Sequence, residues 1–184
     1  MAQKITLRPI TAGDQAFLYR VYASTRVDEL AAVDWTEAQK ASFLRMQFEA
    51  QHKYYQANYA TARFQIILAD DRPIGRLYVI RWPQEIRIID IALLPEYRGR
   101  GIGSAFLRDI LADGQRRGVP VTIHVERFNP ALRLYERLGF HILQDKGVYY
   151  LMEWSPASAP AKGRTHGNSK SGKKRQQTRQ KNNA

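Results

Sequence analysis

Apolar and polar positions change period several times along the chain, and the main change falls near its middle. Residues 86–94 (Ile-Arg-Ile-Ile-Asp-Ile-Ala-Leu-Leu) form a mostly apolar, β-branched run closed by Pro95, which predicts a strand. Phe106, Leu107, Ile110, Leu111 and Gly114 then recur at helical spacing, and Gly118 marks the stop. Upstream, Ile5 and Leu7 alternate up to Pro9, predicting a first strand. Phe17, Leu18, Val21 and Tyr22 predict a helix over 14–24. Thr36 with Gln39 is a capping-box pair that opens a second helix running to about residue 55. Strands are predicted at 63–69 and 74–82 around the turn Asp70-Asp71-Arg72-Pro73, and a further strand at 120–125. A helix at 130–138 and a closing pair of strands, 140–143 and 147–154, complete the set. The order is mixed α/β without an internal repeat.

Composition adds an appendage to this picture. At 184 residues the chain holds one domain with a proper core, predicted over 1–154. The net charge is +12, yet residues 155–184 carry eight Lys and Arg and no Asp or Glu, which leaves +4 on the rest. That tail is rich in Pro, Ala, Ser, Gly, Lys and Arg, so a disordered basic segment is predicted, able to contact nucleic acid or another polyanion weakly. No apolar run reaches membrane-spanning length and the N-terminus has no signal core. A cytoplasmic protein with no membrane contact is expected. Cysteine is absent, which excludes disulfides, thiolate metal sites and an acyl-cysteine intermediate.

Candidate chemistry concentrates after the 86–94 strand. A loop that wraps an anion with its own N–H groups cannot carry Cβ atoms at the points of closest approach, and Gly101 and Gly103 meet that need where the helix begins. The helix N-terminus adds unpaired N–H groups and the positive end of a dipole, with Arg98 and Arg100 beside it. The ligand should therefore be anionic. A P-loop is excluded, because Ser104-Ala105 follows Gly103 where Lys-Ser or Lys-Thr is required. A dinucleotide fingerprint also fails, since Phe106 stands at the third glycine position.

Arg98-x-x-Gly101-x-Gly103 after a strand ending in Pro95 instead resembles the acyl-CoA pyrophosphate loop of the GNAT superfamily of N-acyltransferases. The run from Asn129 through Tyr135 to Gly139-Phe140 resembles the downstream motif of the same superfamily, with its Asn-to-Tyr spacing one residue tighter than in many members. This resemblance implies a GNAT-like single α/β domain whose central mixed, mostly antiparallel sheet is splayed and flanked by helices. It implies that the strands at 86–94 and 121–125 part to admit acetyl-CoA as co-substrate. Backbone of Ile91 and Leu93 would pair with the pantetheine arm, and the N–H of Leu93 would polarise the thioester carbonyl. Gly99, Arg100, Gly101, Ile102, Gly103 and Ser104 would hold the pyrophosphate near Arg98, with Asn129 as a further contact. Tyr135 would give its proton to the departing thiolate.

An alkylamine must lose a proton before it attacks. Asp90 is the first candidate base, as the one acidic residue inside the apolar run, with Glu85, His124 and Glu126 behind it. A carboxylate facing solvent, or paired with an arginine on an adjacent strand, is the competing reading of Asp90. His124-Val125-Glu126 also resembles half of a zinc deaminase signature, but the cysteine ligands are missing and no metal is assigned. Phe43, Met46, Phe48, Tyr54 and Tyr55 are candidate pocket residues or, more simply, core and surface. The function expected is transfer of acetyl from acetyl-CoA directly to a primary amine on a small molecule or protein, by a monomer or homodimer. A non-catalytic acyl-CoA-binding module and a nucleic-acid-associated protein acting through the tail are the alternatives.

Overall fold

The computed structural model describes residues 3–157. The basic tail predicted over 155–184 therefore lies, from residue 158 on, outside the described residues. The chain runs β1 (Ile5–Pro9), α1 (Gln15–Ser24), α2 (Val27–Ala31), α3 (Glu37–Asn58), β2 (Arg63–Ala69), β3 (Arg72–Arg81), β4 (Ile86–Leu93), α4 (Ile102–Arg117), β5 (Val121–Glu126), α5 (Leu132–Arg137), β6 (His141–Asp145) and β7 (Tyr149–Trp154). The predicted elements are present. The short α2, too brief to show a period, is additional.

One seven-stranded sheet runs in the order β1-β2-β3-β4-β5-β7-β6. β1 to β4 form an antiparallel meander, tightened at the β2–β3 turn by Asp70 and Asp71 at φ 45° and 65°, the left-handed pair a two-residue hairpin needs. β4 and β5 are the one parallel pair, and they are joined only from Ile86↔Val121 to Ile88↔Ile123. Beyond that point β4 continues to Leu93 and β5 to Glu126 without pairing to each other, so the sheet opens into a gap between them.

A bulge breaks the alternation of β4 at the mouth of this gap. Tyr78 of β3 faces Asp90 while Val79 faces Ile88, so Ile89 is the extra residue. Ile86, Ile88, Ile91 and Leu93 consequently pack on the side covered by α4 and α5, whereas Ile89 packs under α1 and α3. A strict two-residue period through Ile89 and Ile91 would have put both on one side.

Each face has its own core. Leu107, Ile110 and Leu111 of α4 pack on Ile86, Ile88, Val121, Ile123 and Met152, each side chain contributing about 1.5–3 kcal/mol on burial. Gly114 lets α4 approach the sheet this closely, because a Cβ there would lie 2.8 Å from Val121 Cγ2. On the other face α1 and α3 bring Leu18, Tyr22 and Phe48 onto Ile66, Leu68 and Tyr78. Thr36 and Gln39 cap α3 reciprocally, as their spacing predicts.

Candidate functional site

The loop after β4 is built around left-handed glycines. Gly99 and Gly101 sit at φ 70° and 81°, a conformation that side chains with a Cβ rarely adopt, and Gly101 is the N-cap of α4. A Cβ added at Gly99, Gly101 or Gly103 would meet nothing within 4 Å, so all three border open space. Among the described residues no backbone N–H over 99–104 finds a hydrogen-bond partner. The residues thus form a concentrated set of free donors at the positive end of a sixteen-residue helix, which suits the phosphates of a CoA-type ligand.

Arg98 and Arg100 differ in their engagement. Arg98 turns away from the loop, donating from Nε to the Leu93 carbonyl at 2.8 Å and from Nη2 to the carbonyl and Oγ of Ser24 at 3.1 and 3.0 Å. It fastens the end of α1 to the end of β4. Arg100 lies over the Tyr97 ring at 5.4 Å and stays on the exposed surface beside the glycines.

The gap supplies the second part of the site. Leu94 donates its N–H to the Ile74 carbonyl, so the alternation of strand backbone turns residues 90 and 92 toward β3 and leaves the N–H groups of Ile91 and Leu93 facing the gap. Across it, β5 leads into α5, whose start is set by Asn129: its Oδ1 accepts from the Ala131 N–H at 2.8 Å. Asn129 therefore spends its oxygen as a turn cap.

Tyr135, one turn into α5, is 4% exposed and packs edge-to-face on Phe140 at 5.7 Å. Its hydroxyl has no protein partner among the described residues. Burial pushes its pKa up, and the negative charge of Asp90 adds to the effect.

Asp90 does pair with an arginine on the adjacent strand. Arg76 Nη2 reaches Asp90 Oδ2 at 2.6 Å and Gln51 Oε1 of α3 at 3.1 Å. The guanidinium is 3% exposed, lies 5.5 Å over the Tyr78 ring, and leaves Nε without a partner. Burial, the largest single influence, pulls its pKa down, but the charge and hydrogen bond of Asp90 together with the neighbouring Tyr78 and Tyr55 leave it raised. The Tyr78 hydroxyl, also unpartnered, is pushed up to about 12 by burial. Sequence reasoning passed over Arg76, although one signal was available: it is the only charged side chain in the run Ile74-Gly-Arg-Leu-Tyr-Val-Ile.

The other candidates lie around this centre. Glu126, at the end of β5, is held by Arg26 at 2.6 Å, a bridge from the turn before α2 to β5. Glu85 accepts from Thr122 and from Arg87 at the paired end of the sheet, away from the gap. His124 is exposed beside Lys146, and partial burial lowers its pKa. Phe48 is core, Tyr55 lies close to Tyr78 and Asp90, and Met46 and Tyr54 are exposed. No cluster of metal-ligating side chains occurs among the described residues, and no helix there is long and apolar enough to cross a membrane.

With this geometry in place, the chain matches the family model for the acetyltransferase (GNAT) family over residues 24–140. It belongs to that family. A curated relative, the [ribosomal protein bS18]-alanine N-acetyltransferase of Haemophilus influenzae, is 33% identical over 67 residues, 36% of this chain. The chain spans 46% of the length of that relative. The fold is shared with the PaiA N-acetyltransferase of Thermoplasma acidophilum, solved in complex with coenzyme A (TM-score 0.62, 21% identity, 83% of this chain and 99% of that one). It is shared as well with the ribosomal-protein-S18-alanine N-acetyltransferase of Escherichia coli (TM-score 0.57, 17% identity, 86% and 98%).

Proposed function

We propose that this protein moves acetyl from acetyl-CoA directly to a primary amine, in the gap between β4 and β5. The observation that supports the reading is the set of free N–H groups in the glycine loop that follows β4, with the unpartnered hydroxyl of buried Tyr135 on α5, the helix that follows β5. Residues 99–104 bind the phosphates, and the N–H groups of Ile91 and Leu93 align the arm and polarise the thioester carbonyl. The neutral amine attacks that carbonyl, a C–N bond forms, the C–S bond breaks, the leaving sulfur takes the proton of Tyr135, and the proton shed by the attacking nitrogen restores the Tyr135 phenol. The ammonium proton lost beforehand goes to Asp90, whose Oδ1 has no partner among the described residues. Because the chain has no cysteine, the acetyl group never rests on an enzyme sulfur.

The acceptor is an amine of a small molecule or a protein. The Haemophilus relative is named for an alanine of a ribosomal protein, which brings peptide N-termini into the reading. The test is a panel of amines, polyamines, aminoglycosides and short peptides incubated with acetyl-CoA, with release of coenzyme A read by a thiol reagent. The enzyme contributes no thiol background. The expected result is amine-dependent release with a matching N-acetylated product. Tight acetyl-CoA binding without amine-dependent release across the panel would leave only an acyl-CoA-binding module.

A further inference from the structure

The bulge in β4 decides which side of the sheet Asp90 occupies. If the register Val79↔Ile88 continued through Ile89 without a bulge, Leu77 would face Asp90 and the carboxylate would sit among the apolar residues under α4. With the bulge, Tyr78 faces Asp90 and Arg76 faces Ala92, which makes Arg76 and Asp90 diagonal neighbours on the side covered by α1 and α3. The chain thus spends a backbone irregularity to bring this pair together at the edge of the gap.

Packing alone does not call for the arginine. Around its guanidinium lie Tyr22 at 6.0 Å, Tyr78 at 5.5 Å, Gln51, and the neighbouring His52 and Tyr55 of α3. Desolvating a charge there is costly, and an apolar side chain of similar length would fill the same space. The cost is visible in two orphaned atoms, Arg76 Nε and the Tyr78 hydroxyl. Among the described residues, the one charged group the guanidinium holds is Asp90.

We propose that Arg76 is a positioning residue for acetyl transfer: by clamping Oδ2 of Asp90 it fixes the carboxylate at the gap and leaves Oδ1 as the oxygen that takes the amine proton. This rests on the reading of function above. Arg76 itself touches neither substrate. It acts through Asp90, and that dependence separates it from a residue that merely stabilises the fold.

A double-mutant cycle with Arg76→Met and Asp90→Asn tests it, with kcat measured by amine-dependent release of coenzyme A and acetyl-CoA affinity by calorimetry. Each single variant should lower kcat by roughly 10- to 100-fold with acetyl-CoA affinity within about twofold, and the double variant should be no slower than Asp90→Asn alone by more than about twofold. Losses that multiply in the double variant, or an Arg76→Met enzyme with wild-type kcat, would overturn the proposal. If Arg76→Met does not fold, Arg76→Lys keeps the charge and loses the planar fork, and should still lower kcat with acetyl-CoA affinity held. Wild-type kcat in Arg76→Lys would then overturn the proposal. A crystal structure of whichever variant folds gives a readout independent of turnover: Asp90 should leave its native rotamer, and an unmoved Asp90 sinks the positioning role. Absence of amine-dependent turnover in the wild type would instead remove the assigned reaction, and the Asp90 rotamer would still decide what Arg76 does.

Discussion

Under α4 and α5 the buried hydrophobic residues are mostly aliphatic, from Ile67 and Leu77 through Ile88 and Leu107 to Met152, and Tyr135 is the one among them that carries a hydroxyl. Under α1 and α3 the covered surface is smaller and carries Arg76, Asp90 and Gln51 together with the ring-rich group Tyr22, Phe48, Tyr55, Phe64 and Tyr78. The first face is held by burial, which is insensitive to orientation. The second depends on buried hydrogen bonds and an ion pair, whose value lies in fixing geometry rather than in net stability. The gap between β4 and β5 is where the two meet, so the proposed acid comes from the apolar face and the proposed base from the polar one.

The largest expected effect is on that hydroxyl. Tyr135→Phe keeps the contact with Phe140 and removes only the hydroxyl, and kcat should fall by roughly 10²- to 10⁴-fold with little change in acetyl-CoA affinity. Because burial raises its pKa, the phenol keeps its proton through neutral and moderately basic pH. In the wild type kcat should rise with pH as the amine deprotonates and should not decline below the ordinary tyrosine value of about 10. A basic limb near pH 8 would assign the acid to another group, and an unchanged kcat in Tyr135→Phe, with chemistry shown to be rate-limiting, would make the residue part of the packing.

Next comes the packing of the apolar face itself. A Cβ at Gly75 of β3 would stand 2.4 Å from the Ala92 carbonyl oxygen and 2.7 Å from Leu93 Cδ2, and the first of these is backbone that cannot swing aside. Gly75→Ala should cost about 3 kcal/mol of unfolding free energy, at the upper end of overpacking effects. Denaturant melts would show it. A loss under about 0.5 kcal/mol would mean that β4 yields easily at the very segment assigned to the acetyl-CoA arm.

The two faces were not equally legible in the sequence. Helical and strand periods predicted α1, α3, α4 and every strand, because wherever the period is unbroken position along the chain maps directly onto burial. The glycine loop was readable from Gly101 and Gly103, of which Gly101 occupies a left-handed position that constrains residue type, while Gly99, the loop's other left-handed glycine, was not singled out for its conformation and Gly103 is helical. What periodicity missed lies at the Ile89 bulge. One inserted residue reverses the facing of everything after it, so whether Asp90 met a helix-covered or an open side could not be read from alternation. Arg76 went unnoticed because its partner is made by cross-strand register. Arg98 was legible as a motif position but not in its bonds to Ser24 and Leu93, which join elements far apart in the chain.

At the mouth of the gap, Gly103 gives a cleaner probe of the loop than Gly101, whose φ of 81° would strain any replacement. Gly103 is helical and borders open space, so Gly103→Val should fold normally and still crowd a bound phosphate. Losing one charge-assisted N–H contact predicts a rise in the acetyl-CoA Kd of roughly 10- to 100-fold by calorimetry, with a melting temperature close to that of the wild type. Wild-type affinity would move the phosphates away from the start of α4.

The smallest expected effect lies at the outer edge of the polar face, where Asp14 leads into α1. Its carboxylate takes two hydrogen bonds from Arg8, at 2.8 and 2.7 Å, and further ones from the N–H and hydroxyl of Thr11 at 2.7 and 2.9 Å. The Arg8 hydrogen bonds, joined by those from Thr11, hold its pKa well below the usual carboxylate range against the opposing effect of burial. A folded pKa depressed in this way gives stability that is present above the unfolded value of about 3.9 and is lost as pH falls through the folded value. Arg8 is part exposed, so solvent screening keeps the contribution to about 1 kcal/mol. Asp14→Asn should therefore lower unfolding free energy by about that amount at pH 7, and the difference from the wild type should shrink as pH is taken below about 4. Urea melts at the two pH values decide it: a difference of the same size at both would show that Asp14 acts through shape and neutral hydrogen bonds, and that charge on this face matters only around Arg76 and Asp90.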